Sequence, residues 1–190
     1  MYYVKNWACT TKLFLLLYFV LIFIALSGCQ DITDDLIPSG DDQRLAVETG
    51  SSGNQPGQVA PAFTEVDTLN LSHTLADELV LTDGVVLYFT MWCPICDSHM
   101  SHIRSKLIPD FPNVGFLVID YVTGSVEASR SAQLANGYSD FTVLADSEHT
   151  LYNTFDGGMG ITVVIDADGT VVLNEDYKDG AKVRAALESL

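Results

Sequence analysis

"GVVLYFTMWCPIC", Gly84 to Cys96, is the stretch on which the reading of this chain turns. Its first seven residues are β-branched, aromatic or aliphatic without polar alternation, which predicts a strand covered on both faces. Pro94 then suits the first position of a helix, where a missing N–H costs nothing and a fixed φ favours the turn. Two thiols three residues apart, placed where a strand becomes a helix, have three uses: exchanging a disulfide, holding a metal, or packing. The rest of the sequence has to choose among them for Cys93 and Cys96.

Working outward, "APAFTEVDTLNL" predicts an opening strand and turn, and "SHTLADELV", Ser72 to Val80, a short helix capped by Ser72. After the cysteines a helix is predicted from Pro94 to about Ile108, with Ile95, Met100, Ile103 and Leu107 near helical spacing and Pro109 as its stop. "VGFLVIDYV", Val114 to Val122, is a second buried strand, Ser125 to Tyr138 a helix, "FTVLAD" a third strand, and Glu148 to Phe155 a short helix. "ITVVIDADGTVVLNED" reads as two strands joined by Asp-Gly turn chemistry at Ala167 to Gly169, and Ala181 to Leu190 as a closing helix. Strands alternating with helices, then a hairpin, predict an α/β domain with a mixed central sheet and helices on both faces.

The chain has 190 residues, 9 basic and 25 acidic, for a formal charge of −16. A binder of phosphate backbone needs a basic face, so no nucleic acid partner is expected. The carboxylates are scattered, as on a solvated surface.

The first segment is more specific. Lys5 and Lys12 are the only charges before "LFLLLYFVLIFIAL", Leu13 to Leu26, an apolar run of signal-peptide length and short for a membrane span. It ends in "LSGC", Leu26 to Cys29, which resembles the lipobox of bacterial lipoproteins. That resemblance implies a signal peptide over residues 1–28, a lipidated Cys29 as mature N-terminus, and attachment to a membrane through the lipid, each buried methylene adding about 0.8 kcal/mol. The domain would be extracytoplasmic, on the periplasmic face, with Gln30 favouring the outer membrane by analogy. Residues 29–60, rich in Asp, Ser, Gly, Gln and Pro, predict a flexible tether, and residues 61–190 the folded domain.

Cysteine arithmetic then narrows the choice. On the lipobox resemblance Cys9 would leave with the signal and Cys29 would be blocked, so Cys93 and Cys96 would have only each other. A loop this short removes little unfolded-state entropy when closed, which makes redox work or metal binding a better reading than a structural staple.

"WCPIC" after a buried strand, followed by "FLVID", "FTVLAD" and "VVIDADGTVV", resembles the thioredoxin fold, in particular exported thiol-disulfide oxidoreductases of the TlpA/ResA type, over about Ala60 to Leu190. The resemblance implies disulfide exchange with protein thiols or disulfides of the cell envelope, with no cofactor and a direction of electron flow that the sequence leaves open. The residues support it physically. Cys93 falls at the N-cap, where unpaired amides and the helix dipole favour a thiolate, making it the expected nucleophile. Cys96, one turn further in, is the expected resolving thiol. Trp92 and Pro94 would form a rim for the partner chain, with Met159 and Gly160 as the opposing wall.

Two positions depart from the family. Gly160 stands where a cis-proline is expected, and Leu87, six residues before Cys93, where many relatives carry a buried carboxylate that helps move a proton. Proton transfer must therefore use another group. Two alternatives remain open. A copper-binding relative would use Cys93, Cys96 and His149; His99 and His102 recur at steps of three, which rotate about 60° backwards each time, and are expected at the surface or at a cap. A thiol peroxidase is suggested by Thr90, three residues before Cys93, although Val86 replaces the proline expected with it.

Overall fold

All seven residues of β3 (Gly84–Thr90) are buried, because the strand lies at the centre of a five-stranded sheet and is covered on both sides. The computed structural model describes residues 47–190. The sheet order is β5-β4-β3-β6-β7. Here β4 is Val114–Asp120, β5 Thr142–Ala145, β6 Ile161–Asp166 and β7 Val171–Asp176. The pairs β3–β4 and β4–β5 are parallel, while β6 runs antiparallel to β3, and β7 antiparallel to β6. This is the mixed sheet that the alternation predicts. A separate hairpin, β1 (Thr64–Val66) with β2 (Ser72–Thr74), precedes it.

Strand alternation sorts the core into two layers. Val86 and Tyr88 of β3, Val118 of β4 and Val164 of β6 face one side, packed with Met100, Ile103, Leu107, Val183 and Leu187. Val85, Leu87 and Phe89, with Leu117, Ile119, Val163 and Ile165, face the other and meet Leu75, Leu151 and Phe155. The first layer is roofed by α2 (Pro94–His102) and α5 (Ala181–Leu187), the second by α1 (Leu75–Leu81) and α4 (Thr150–Thr154). Each fully buried Val, Leu or Phe contributes about 1.5–3 kcal/mol, so both faces are needed to offset the ordering of the chain. The remaining helix, α3 (Val126–Ala135), is capped by Ser125, and its buried Gln133 donates to the carbonyls of Tyr138 and Phe141 at 2.9 and 2.8 Å.

Several local expectations are corrected. Ser72 is not a helix cap: Ser72–Thr74 pair as a strand with Thr64–Val66, and Thr74 caps α1, its hydroxyl accepting from Asp77 N at 3.1 Å. Pro109 does not stop the helix that begins at Pro94. The helical backbone continues through a π-helical turn at Ile103–Leu107 and on to Asp110, with Pro109 inside it, and ends at Phe111. The expected tether, residues 29–60, and the signal segment with Cys29 lie largely outside the described residues. Its last part is hydrogen-bonded to the sheet: Gly57 N donates to Val171 O, Val171 N to Gln58 O and Ala60 N to Gly169 O, each at 2.8 Å. Those bonds occupy part of the free edge of β7 and bring ordered structure forward of Pro61. Among the described residues no helix is long and apolar enough to cross a membrane.

Candidate active site

The C-terminal end of β3 delivers the chain to the cysteines through a strained link. Trp92 has φ +58°, a left-handed conformation that costs a non-glycine residue about 1–2 kcal/mol. Two bonds hold it: Trp92 N donates to Thr90 Oγ1 at 3.1 Å and the indole Nε1 to Asp120 Oδ2 at 2.8 Å. Asp120, buried at the end of β4, also accepts from Val122 N, Thr123 N and the Thr123 hydroxyl, so the carboxylate is fixed before the indole reaches it. Trp92 is half-buried and anchored by its polar edge, which the sequence reading of a simple apolar rim did not include.

Cys93 is the N-cap of α2, with extended backbone and Pro94 in the first helical position, as the sequence predicts. Its sulfur accepts from Cys96 N at 3.2 Å and lies 2.7 Å from the Cys96 sulfur; both thiols are free. Cys93 is partly exposed, whereas Cys96 is fully buried. Sulfurs this close titrate as a pair. Burial raises the Cys93 thiol, and the hydrogen bond with Cys96 adds to the rise. At Cys96 burial also pushes upward but is outweighed by bonds from Cys93, from the Met91 and Cys93 backbone and from the Thr90 hydroxyl, so this thiol lies below the ordinary range. One proton of the pair thus leaves easily, the other stays between the sulfurs, and the negative charge is shared. The two thiols thus differ in the direction of their shifts and in exposure, Cys93 being the reachable one.

The loop before β6, expected to form the opposing wall, is bonded to the end of β3. Gly160 has φ +81°, which proline cannot adopt, and its N–H donates to the Phe89 carbonyl at 3.1 Å. No peptide bond among the described residues is cis. The position therefore demands glycine for a different backbone path, and a side chain there would also stand 2.9 Å from Asp176 Oδ1. Met159 beside it is exposed, as are Met91 and Ile95.

The histidines differ most from expectation. His99 is buried, not at the surface. Its ring stacks on Tyr177 with centroids 4.6 Å apart, and its Nδ1 is 3.1 Å from Tyr88 Oη. Burial holds His99 below the usual imidazole range, against the opposing charge of Asp176. His102, half-buried, has its Nδ1 2.6 Å from Tyr177 Oη. Spacing along one helix cannot reveal such burial; it comes from Tyr177, which follows β7. His149 is exposed, at φ +57° before α4, and its Nε2 is 2.8 Å from the Tyr121 carbonyl. Among the described residues no three His, Cys, Asp or Glu side chains gather to hold a metal, so the alternative set Cys93, Cys96 and His149 is not brought together. Leu87 is buried in the second core layer, among hydrocarbon only, and faces away from α2. Tyr88, its neighbour, faces α2 instead and lies close to the Cys96 side chain.

Several solved structures share this fold. Peroxidoxin BcpB from Mycobacterium tuberculosis superposes with a TM-score of 0.57 at 22% identity, covering 71% of this chain and 97% of that one. A thioredoxin-like protein from Aeropyrum pernix gives 0.56 at 17% identity over 68% and 89% of the two chains. A secreted M. tuberculosis disulfide oxidoreductase, described as homologous to E. coli DsbE, gives 0.52 at 22% identity over 67% and 96%. These likenesses establish the thioredoxin-like fold. No curated protein matches the sequence. Residues 56–174, more than half of the sequence and including Cys93 and Cys96, match the AhpC/TSA family, and the chain belongs to that family.

Proposed function

We propose that the protein is a membrane-anchored, extracytoplasmic thiol-disulfide oxidoreductase that exchanges disulfides with partner proteins of the cell envelope. The observation that carries this reading is the pairing of a reachable sulfur with a buried one 2.7 Å away at the start of a helix. Cys93 is the only thiol of the two that a macromolecule can touch. As thiolate it attacks a partner disulfide, forming a Cys93–partner bond while the partner's second sulfur departs as thiolate and takes a proton from water. Cys96 then loses its proton and attacks the Cys93 sulfur, so that the internal disulfide forms, the partner leaves as thiol, and two electrons have passed to it. The reverse sequence oxidises a dithiol partner. Met91 and Ile95, exposed two residues to either side of Cys93, with the anchored Trp92, with Pro94, and with Met159 and Gly160 as the expected opposing wall, suit an extended apolar partner segment. Cys29 as a lipid anchor stays part of the proposal, resting on the "LSGC" resemblance, and an outer-membrane address on Gln30.

Cys93→Ser should lower insulin reduction on the order of a thousandfold or more, as loss of a nucleophile does. Cys96→Ser should accumulate mixed disulfides with envelope proteins, resolved on diagonal gels. A variant that traps nothing, alongside wild type that neither reduces nor oxidises protein cysteines, would sink the reading. Mass spectrometry of the mature protein should show an acylated Cys29; an unmodified start at Met1 would contradict the anchor.

A second reading, thiol peroxidase, is favoured by the family and by Thr90, three residues before Cys93. It predicts consumption of hydrogen peroxide retained in Cys96→Ser, whereas disulfide exchange predicts that this variant stalls.

A further inference from the structure

Leu87 leaves the buried thiol without the carboxylate that the family resemblance would supply, and the opposite face of the same strand offers another route. Cys96 and His99 lie three residues apart on α2 and so share one helix face, which is turned toward β3. Tyr88 stands between them, 1% exposed, with its hydroxyl 3.1 Å from His99 Nδ1 and in contact with the Cys96 side chain. The far side of His99 is equally defined. In the tautomer that carries its proton on Nε2, Nδ1 accepts from the Tyr88 hydroxyl. Tyr177 is stacked on the ring, and Asp176 lies near enough that one point beside Gly160 is 2.9 Å from its Oδ1 and 3.5 Å from His99 Cε1.

We propose that Tyr88 and His99 form the proton relay that deprotonates Cys96 when it resolves the mixed disulfide. This rests on the thiol-exchange reading above. The Cys96 S–H gives its proton to Tyr88 Oη as the Tyr88 O–H proton passes to His99 Nδ1. Tyr88 ends neutral, His99 becomes an imidazolium facing the Asp176 carboxylate, and the Cys96 thiolate attacks the Cys93 sulfur. The S–S bond to the partner breaks, the partner sulfur leaves with the electron pair, and His99 later returns its proton to water. A tyrosine buried this deeply does not ionise on its own, so it serves by passing a proton through, never by holding a charge. Burial keeps His99 neutral and thus ready to accept at neutral pH. The groups that face His99 are Tyr88 from β3, Asp176 and Tyr177 at the end of β7, and His102 from α2 itself. Thr90 also bonds the Cys96 sulfur, but a threonine hydroxyl is no proton acceptor in this range and cannot replace the histidine.

The test is a stopped-flow reaction of the reduced protein with 5,5′-dithiobis(2-nitrobenzoate). The first release of thionitrobenzoate reports attack by Cys93, the second reports resolution by Cys96. In Tyr88→Phe and His99→Gln the first phase should keep its rate. The second should slow on the order of a hundredfold near pH 7, the scale of general acid–base assistance. It should recover about tenfold per pH unit as hydroxide takes over deprotonation of Cys96. Two substitutions guard against one failing to fold, since Tyr88→Phe removes a single buried oxygen. A second phase unchanged in both variants, or slowed equally at every pH, overturns the relay while leaving thiol exchange intact. A wild-type protein with no second phase overturns both.

Discussion

The two faces of β3 have opposite chemistry although their residues alternate along seven positions. On one face Val85, Leu87 and Phe89 meet only carbon from α1 and α4. On the other, Val86 and Tyr88 lie under α2, and from Tyr88 a line of polar atoms runs through His99, Tyr177 and His102. Burying such polar atoms is costly unless each has a partner, and here each ring nitrogen or hydroxyl named has one. The contrast teaches where the cysteine site draws its support. One face supplies stability, the other a row of polar side chains close to the buried sulfur, so substitutions one residue apart should separate folding from chemistry.

The largest effect is expected on the apolar face. Leu87→Ala removes a side chain with no exposed surface and should cost about 2–5 kcal/mol in urea unfolding while the exchange rate per folded molecule holds. An equal loss of rate would mean that the faces are not separable. Asp120→Asn tests the end of the neighbouring strand: weakening a buried acceptor of four hydrogen bonds should cost about 1–3 kcal/mol and release Trp92, read as a change in its fluorescence. Gly160→Ala forces φ +81° on a residue with a Cβ, at about 1–2 kcal/mol, and crowds Asp176 as well. Proline at this position should be worse, despite its place in the relatives, and an unaltered urea midpoint for it would refute the assigned backbone.

The smallest effect lies away from both faces, at His73. Burial lowers its pKa, but hydrogen bonds with Glu78 at 2.6 Å and Asp67 at 3.3 Å outweigh this and leave it raised. A raised folded value stabilises fully below the unfolded value of 6.5 and is lost as the pH climbs through the folded one. Urea midpoints of wild type should therefore fall relative to His73→Gln as the pH rises from 6 to 8, and parallel curves would show that the ion pairs are inert.

Much of this was legible in the sequence. β3 and β6 announce themselves by uninterrupted apolar runs, the Asp-Gly turn fixes the hairpin after β6, and Pro94 after Cys93 places the cap. What escaped depended on residues distant in the chain. Ser72 reads as a cap because serine prefers that position, but pairing with Thr64–Val66 wins the segment for a strand. Pro109 reads as a stop because nothing local signals the π-helical turn before it. His99 looked exposed since its partners, Tyr88 and Tyr177, lie 11 residues before and far beyond it. The Trp92 indole bond was hidden for the same reason, although an Asp closing a buried strand, as in "FLVID", is a signal that a donor nearby must satisfy.

The division of labour between the two sulfurs is tested most directly by iodoacetamide alkylation of the reduced protein from pH 5 to 10, with each product mapped by mass spectrometry. The account predicts that Cys93 is modified first and almost alone, with a midpoint below the value of about 8.5 for an unperturbed cysteine, because the pair readily gives up its first proton and only Cys93 is within reach. Modification of Cys96 at a comparable rate, or a midpoint no lower than that of an unperturbed cysteine, would contradict it.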